Sequence, residues 1–98
     1  MKRVNNKAGR PRLKRRICFS PEIKYFKPQG VGLSNLKIIE LSAEELEVLR
    51  LKNIKKFSQF KCAKEMKTSS STIQRLLSEA EKKITLALIE GWAIKIKE

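Results

Sequence analysis

Residues 58–78, SQFKCAKEMKTSSSTIQRLLS, constrain the fold more than any other stretch, because their spacing describes two helices joined by a tight turn. Ser58 is placed to cap a first helix over 58–66, whose apolar residues Cys62, Ala63 and Met66 share one side. Lys67-Thr68 then form the turn. Ser69 follows as a second cap, since its hydroxyl oxygen can accept a bond from one of the first free backbone N–H groups of a helix. Ile73, Leu76, Leu77 and Ala80 recur at i, i+3, i+4 and i+7, the period of one buried helical face. A small residue inside the first helix, a break four residues later and a branched apolar residue in the second helix match the helix-turn-helix arrangement. In that arrangement the second helix offers its N-terminal half to the DNA major groove. A helical hairpin serving only as core shares the same apolar pattern. The turn position often held by Gly is Lys67; Lys can enter the left-handed region at a cost of about 1 kcal/mol.

Charge narrows the partner. The 98-residue chain has a formal net charge of +13, from 23 Lys plus Arg against 10 Glu and no Asp. Such a balance points to a polyanion, because each neutralised phosphate releases condensed counterions and drives association. Residues 1–16 hold eight basic and no acidic residues, have no helical or strand period, and read as a basic arm that is flexible until bound. Within it, Gly9-Arg10-Pro11-Arg12 has the features of a minor-groove segment: Pro11 favours an extended path, Gly9 removes bulk, and a narrow groove attracts Arg. Arg10, Arg12, Lys14, Arg15 and Arg16 are therefore candidates for a minor-groove contact or for a generic electrostatic tether.

Several function classes lose support. No apolar run approaches the ~20 residues of a membrane span, and no hydrophobic signal core follows the first charges, so no membrane partner and a cytoplasmic location are expected. Cys18 and Cys62 stand far apart with no CxxC pair, and the chain contains no His. No metal and no cofactor are expected. Without His, and with no Ser or Cys beside an activating partner, the chain does not read as an enzyme.

Ahead of the paired helices, Ile17 and Phe19, and then Ile23 and Tyr25, alternate with polar residues in short extended segments. Lys27-Pro28-Gln29-Gly30 forms a turn. Across 31–41, Ser34 is placed to cap a helical turn, while Lys37 to Leu41 suits a short strand. Ser42-Ala43-Glu44-Glu45 has the capping-box form, with Glu44, Glu45 and Glu47 at the positive end of the helix dipole. That helix should run over about 43–53 and bury Leu46, Leu49 and either Val48 or Leu51. Lys52, Lys55, Lys56, Lys61, Lys64 and Lys67 then make a second basic cluster, with Phe57 and Phe60 as anchors. From Ser69 the last helix should run over about 70–90, to a stop at Gly91. At about 100° per residue, Leu77, Ala80, Ile84, Ala87 and Leu88 stay on its apolar face. Ser71, Arg75, Ser78 and Lys82 fall opposite, with Gln74 at the edge. Trp92, Ile94 and Ile96 alternate in a tail that suits either a strand pairing with Ile17–Phe19 or a dimer contact.

The polar end nearest the turn suits nucleic acid. Arg pairs bidentately with guanine, Gln with adenine, and Ser with a base edge or a phosphate. Ser70, Ser71, Gln74, Arg75 and Ser78 are the candidate base readers. The candidate phosphate contacts are Ser69 and Thr72, at the free N–H end of the helix, with Lys61, Lys64, Lys67 and Lys82.

From Arg15 onward the order of features resembles uncharacterised protein family 0251 (domain of unknown function 134). The residues that carry it are Arg15-Arg16-Ile17-Cys18-Phe19, Pro21-Glu22, Tyr25-Phe26-Lys27-Pro28 with Gly30, Leu41 to Leu51, and Ser71-Thr72-Ile73-Gln74-Arg75. Its second half is also similar to region 4 of sigma-70-type factors, which recognises a promoter element through a helix-turn-helix. The resemblance implies a fold more firmly than a function. Carried over by position, it places recognition on Ser70, Ser71, Gln74 and Arg75, with Lys67 standing where Gly is expected. Nothing in the chain resembles the other sigma regions that hold RNA polymerase.

The sequence therefore reads as a basic arm, 1–16, and a single domain, 17–98. That domain is mainly α, a tri-helical helix-turn-helix similar to sigma region 4, with a small terminal β element. Its expected function is sequence-specific binding of double-stranded DNA by a transcriptional regulator, with a homodimer or RNA polymerase as further partners. The rivals are an RNA-binding or ribosome-associated basic protein and a polymerase-interaction module.

Overall fold

The computed structural model describes residues 17–97; the arm over 1–16 lies outside them. Three helices and a three-stranded sheet follow in the order β1 (Tyr25–Phe26), β2 (Ile38–Leu41), α1 (Ala43–Leu49), α2 (Gln59–Met66), α3 (Ser70–Glu90) and β3 (Ala93–Ile96). A single 3₁₀ turn, Leu33–Asn35, precedes β2, and a π-helical turn, Arg50–Ile54, prolongs α1.

Each helix begins where its cap residue dictates. Ser42 Oγ accepts from Glu45 N at 3.0 Å while Ser42 N donates to Glu45 Oε1 at 2.8 Å, so the capping box closes in both directions. Glu45 is nonetheless buried, and Lys83 Nζ of α3 reaches the same carboxylate oxygen at 2.8 Å. The start of α1 is thereby tied to the middle of α3. At the far end of α3, Gly91 takes a left-handed φ of 73° and Trp92 N donates back to Ala87 O at 3.0 Å, which stops the helix as expected.

The helical core joins Val48, Leu51, Cys62, Ala63, Met66 and Ile73, with Phe57, Leu76 and Leu77 packed around it. Along α1 and the π-helical turn that prolongs it, the buried residues are Glu45, Glu47, Val48 and Leu51. Leu46 and Leu49, expected inside, are half-buried and line a shallow cleft of about 470 Å³ with Phe19, Arg50, Asn53 and Ile54. Two further expectations are corrected. Phe60 is 71% exposed, because the apolar side of α2 is taken by Cys62, Ala63 and Met66. Leu88 is 75% exposed, and in that last turn of α3 only Ala87 is buried.

The tail after Gly91 is a strand, but not one paired with Ile17–Phe19, which form no strand. Instead β3 is the centre of the sheet, in the order β1-β3-β2. It runs antiparallel to β1, with Tyr25 opposite Lys95, and parallel to β2, with Ile39 opposite Ile94. The β element is thus not purely terminal, since β2 leads directly into the cap of α1. Residues 17–19 are held by α1: Cys18 N donates to Glu47 Oε2 at 3.2 Å, and the Arg50 guanidinium lies 5.4 Å from the centre of the Phe19 ring. Arg50 also makes two hydrogen bonds of 3.0 Å to Glu47.

Candidate functional site

The connection between α2 and α3 is a left-handed turn. Lys67 caps α2 with φ 57° and ψ 53°, and Thr68 N donates to Ala63 O at 2.9 Å, closing off the end of the helix. A residue with a Cβ occupies a conformation that Gly adopts at no steric cost. Two residues on, Ser69 turns the chain into α3: its Oγ accepts from Thr72 N at 3.1 Å. The two helices meet through Ala63, Met66 and Ile73, all buried.

With that side of α3 committed to the core, the opposite side is fixed. Ser71, Gln74, Arg75, Ser78 and Lys82 are all exposed. Ser70 and Thr72 sit at the margins and are half-buried. Ser69, Ser71 and Thr72 form one hydroxyl cluster, with Ser69 Oγ 3.2 Å from Ser71 Oγ and donating to Thr72 Oγ1 at 2.9 Å. Lys61, Lys64 and Lys67 are exposed along α2 and its cap, and Lys61 Nζ sits 4.2 Å above the Phe57 ring. Among the described residues, Lys64, Lys67 and Arg75 take part in no ion pair. Their charge is available to an outside partner. Arg10, Arg12, Lys14, Arg15 and Arg16 lie outside the described residues.

Two residues of this region were not singled out from the sequence for what they do here. Lys56, two residues before the Ser58 cap, is the other non-Gly residue with positive φ among the described residues, at 62°. Gln59, the first residue of α2, donates from Nε2 to Ser70 O at 3.0 Å and to Gln74 Oε1 at 3.3 Å. Nothing local in the sequence signals that bridge, since its ends lie on different helices.

Burial pushes the Glu47 carboxyl upward, but the Arg50 hydrogen bonds and the Cys18 N–H outweigh it and leave the group below the ordinary carboxylate value. Burial raises the Cys62 thiol, in keeping with its place in the core. No group of three or more potential metal ligands occurs among the described residues, and no helix there is long and apolar enough to cross a membrane.

Comparison with known proteins places the chain. All of residues 1–98 match the family described as "Protein of unknown function DUF134". The chain belongs to that family. Curated relatives, each called "UPF0251 protein", include those of Halothermothrix orenii, 44% identical over 89 residues, and Desulforudis audaxviator, also 44% identical over 89 residues. Each alignment covers 91% of this DUF134 chain, and 66% and 58% of the respective relative. That of Syntrophomonas wolfei is 43% identical over 83 residues, or 85% of this chain and 64% of its own length. The DUF134 chain thus spans less than two thirds of each of these relatives. No solved structure matches it.

Proposed function

We propose that this DUF134 chain binds double-stranded DNA sequence-specifically through a helix-turn-helix formed by α2 and α3, and acts as a transcriptional regulator. One observation carries the reading. Two N-capped helices joined by a left-handed turn bury Ala63, Met66 and Ile73 between them and leave Ser71, Gln74, Arg75 and Ser78 exposed from the start of the second helix. That division is what major-groove insertion of a recognition helix requires. The motif similar to sigma-70 region 4 falls on the same residues.

In this mechanism Lys61, Lys64 and Lys67 hold phosphates beside the groove, with Lys82 further along α3. Ser69 and Thr72 offer hydroxyls, and the first backbone N–H groups of α3 add a local positive potential. Arg75 pairs with guanine, and Gln74 with adenine. The basic arm supplies additional charge through the minor groove or along the backbone.

Selection of bound sites from a random duplex library, followed by titration of Arg75→Ala, tests this reading. Loss of discrimination at one base pair by about 1–3 kcal/mol is the expected outcome. An equal loss on every duplex would remove Arg75 as a reader, and stronger binding to structured RNA than to duplex would overturn the DNA assignment. A second reading, docking to a protein such as polymerase, draws on the exposed apolar residues Phe26 and Leu88, which line a cleft with Trp92. Absence of any duplex binding at low salt would favour it.

A further inference from the structure

Gln59 stands at the start of α2, across the helix crossing from the face proposed to read DNA. Its side-chain amide meets two acceptors at once: Ser70 O at 3.0 Å and Gln74 Oε1 at 3.3 Å. A backbone carbonyl can only accept, so the group beside Ser70 O has to be the Gln59 NH₂. The same NH₂ then requires an oxygen from Gln74. The polarity of both amides is therefore set by chemistry, and not by a choice between two equivalent orientations. Gln74 Oε1 is turned toward α2 with one lone pair engaged, and its Nε2, on the other side of the amide, is left as the free donor. Gln74 itself is exposed.

We infer that Gln59 is a positioning residue that makes Gln74 lead with its N–H groups, so that Gln74 selects against cytosine at the base it contacts. The inference rests on the proposed DNA reading and names part of its code. In the major groove guanine presents N7 and O6, adenine N7, and thymine O4 as acceptors, whereas cytosine presents only the N4 amino donor. A donor-first amide satisfies the first three and meets cytosine donor to donor. An unheld glutamine flips its amide to suit either kind of edge and discriminates less.

The experiment uses the full chain. Sites are selected with the unaltered protein, and the base pair whose preference relaxes in Gln74→Ala is located. Affinities are then measured on four duplexes that differ only there. Cytosine on the contacted strand should bind about tenfold more weakly than the best base. Gln59→Leu, which keeps bulk but has no donor, should shrink that ratio to within about threefold. Gln59→Lys restores a donor and should keep it; its added charge raises affinity on all four duplexes alike and cancels in the ratio. A Gln59→Leu protein with an undiminished ratio overturns the inference while leaving DNA binding intact, as does equal affinity for cytosine in the unaltered protein. An unaltered protein that binds no duplex overturns the DNA reading and this inference together.

Discussion

Lys67 concentrates the relation between stability and binding in one residue. Its φ of 57° is the conformation in which Lys is strained and Gly is not. Lys67→Gly should relieve that strain, less the extra entropy Gly gives the unfolded chain, for a net gain of about 0.5–1 kcal/mol. A rise in Tm of roughly 4 °C is expected, since 1 kcal/mol moves a domain of this size by about 4–8 °C. If Lys67 holds a phosphate, the same variant should bind duplex more weakly and lose about 0.9 from the slope of log K against log salt. A stabler protein with an unchanged slope would remove Lys67 from the interface. Glu47 supplies the opposite case, a residue that acts on folding alone. Its folded pKa lies below the ordinary value, so its charge contributes stability above the unfolded carboxylate pKa of about 4.3. That contribution disappears as pH falls through the lower, folded value. Glu47→Gln should cost about 1–3 kcal/mol at pH 7 and show a shallower loss of stability below pH ~4 than the unaltered protein; urea melts at several pH values measure both.

At the scale of elements, the legible parts were those specified by near neighbours. The caps at Ser42, Ser58 and Ser69 and the stop at Gly91 are all set by atoms within a few residues, and the helices start and end accordingly. Facing was less legible. Periodicity puts Leu88 on the apolar side of α3, yet burial there also needs a neighbouring element, and in that turn only Ala87 is covered. Phe60 fails for a similar reason: an aromatic beside lysines reads as an anchor, but the side of α2 that meets α3 holds Cys62, Ala63 and Met66 instead. The exposed residues of the candidate site were legible as the complement of Ile73, Leu77 and Ala80. The Gln59 bridge was not, because it depends on how two helices cross. The cap of α1 provides a test at this scale. Ser42→Ala should cost about 1 kcal/mol. Glu45→Ala should cost more, about 2–3 kcal/mol, because it opens the other half of the box and leaves Lys83 without its carboxylate. Equal losses would show that the link to α3 contributes nothing.

Across the whole molecule, the sheet and the helices have separate interiors joined through α3. No residue of the helical core, from Val48 to Ile73, belongs to a strand. The sheet has its own buried set, Leu41, Ala93 and Ile96, and β3 alone connects its two outer strands. Ala93 N donates to Lys37 O at 2.9 Å, Ile96 N to Lys24 O at 2.8 Å, and Lys97 N to Leu41 O at 2.8 Å. This pairing was the least legible part of the fold, since short alternating segments at 17–26, 37–41 and 92–96 permit several partnerships and only distant packing chooses among them. Deleting residues 92–98 removes the central strand and leaves β1 and β2 with no ladder at all. The expected cost is about 2–4 kcal/mol, from the burial of Ile96 and the lost hydrogen bonds, against the 5–15 kcal/mol that holds a typical domain. The truncated chain should keep most of its helical circular dichroism and still unfold cooperatively, at a lower temperature. Met66→Ala strikes the other interior and should cost about 2–5 kcal/mol; unlike the deletion, it should disturb the crossing of α2 and α3 and with it any sequence preference in duplex binding. Loss of the helical signal on deleting 92–98 would show instead that the sheet is required for the helices to fold.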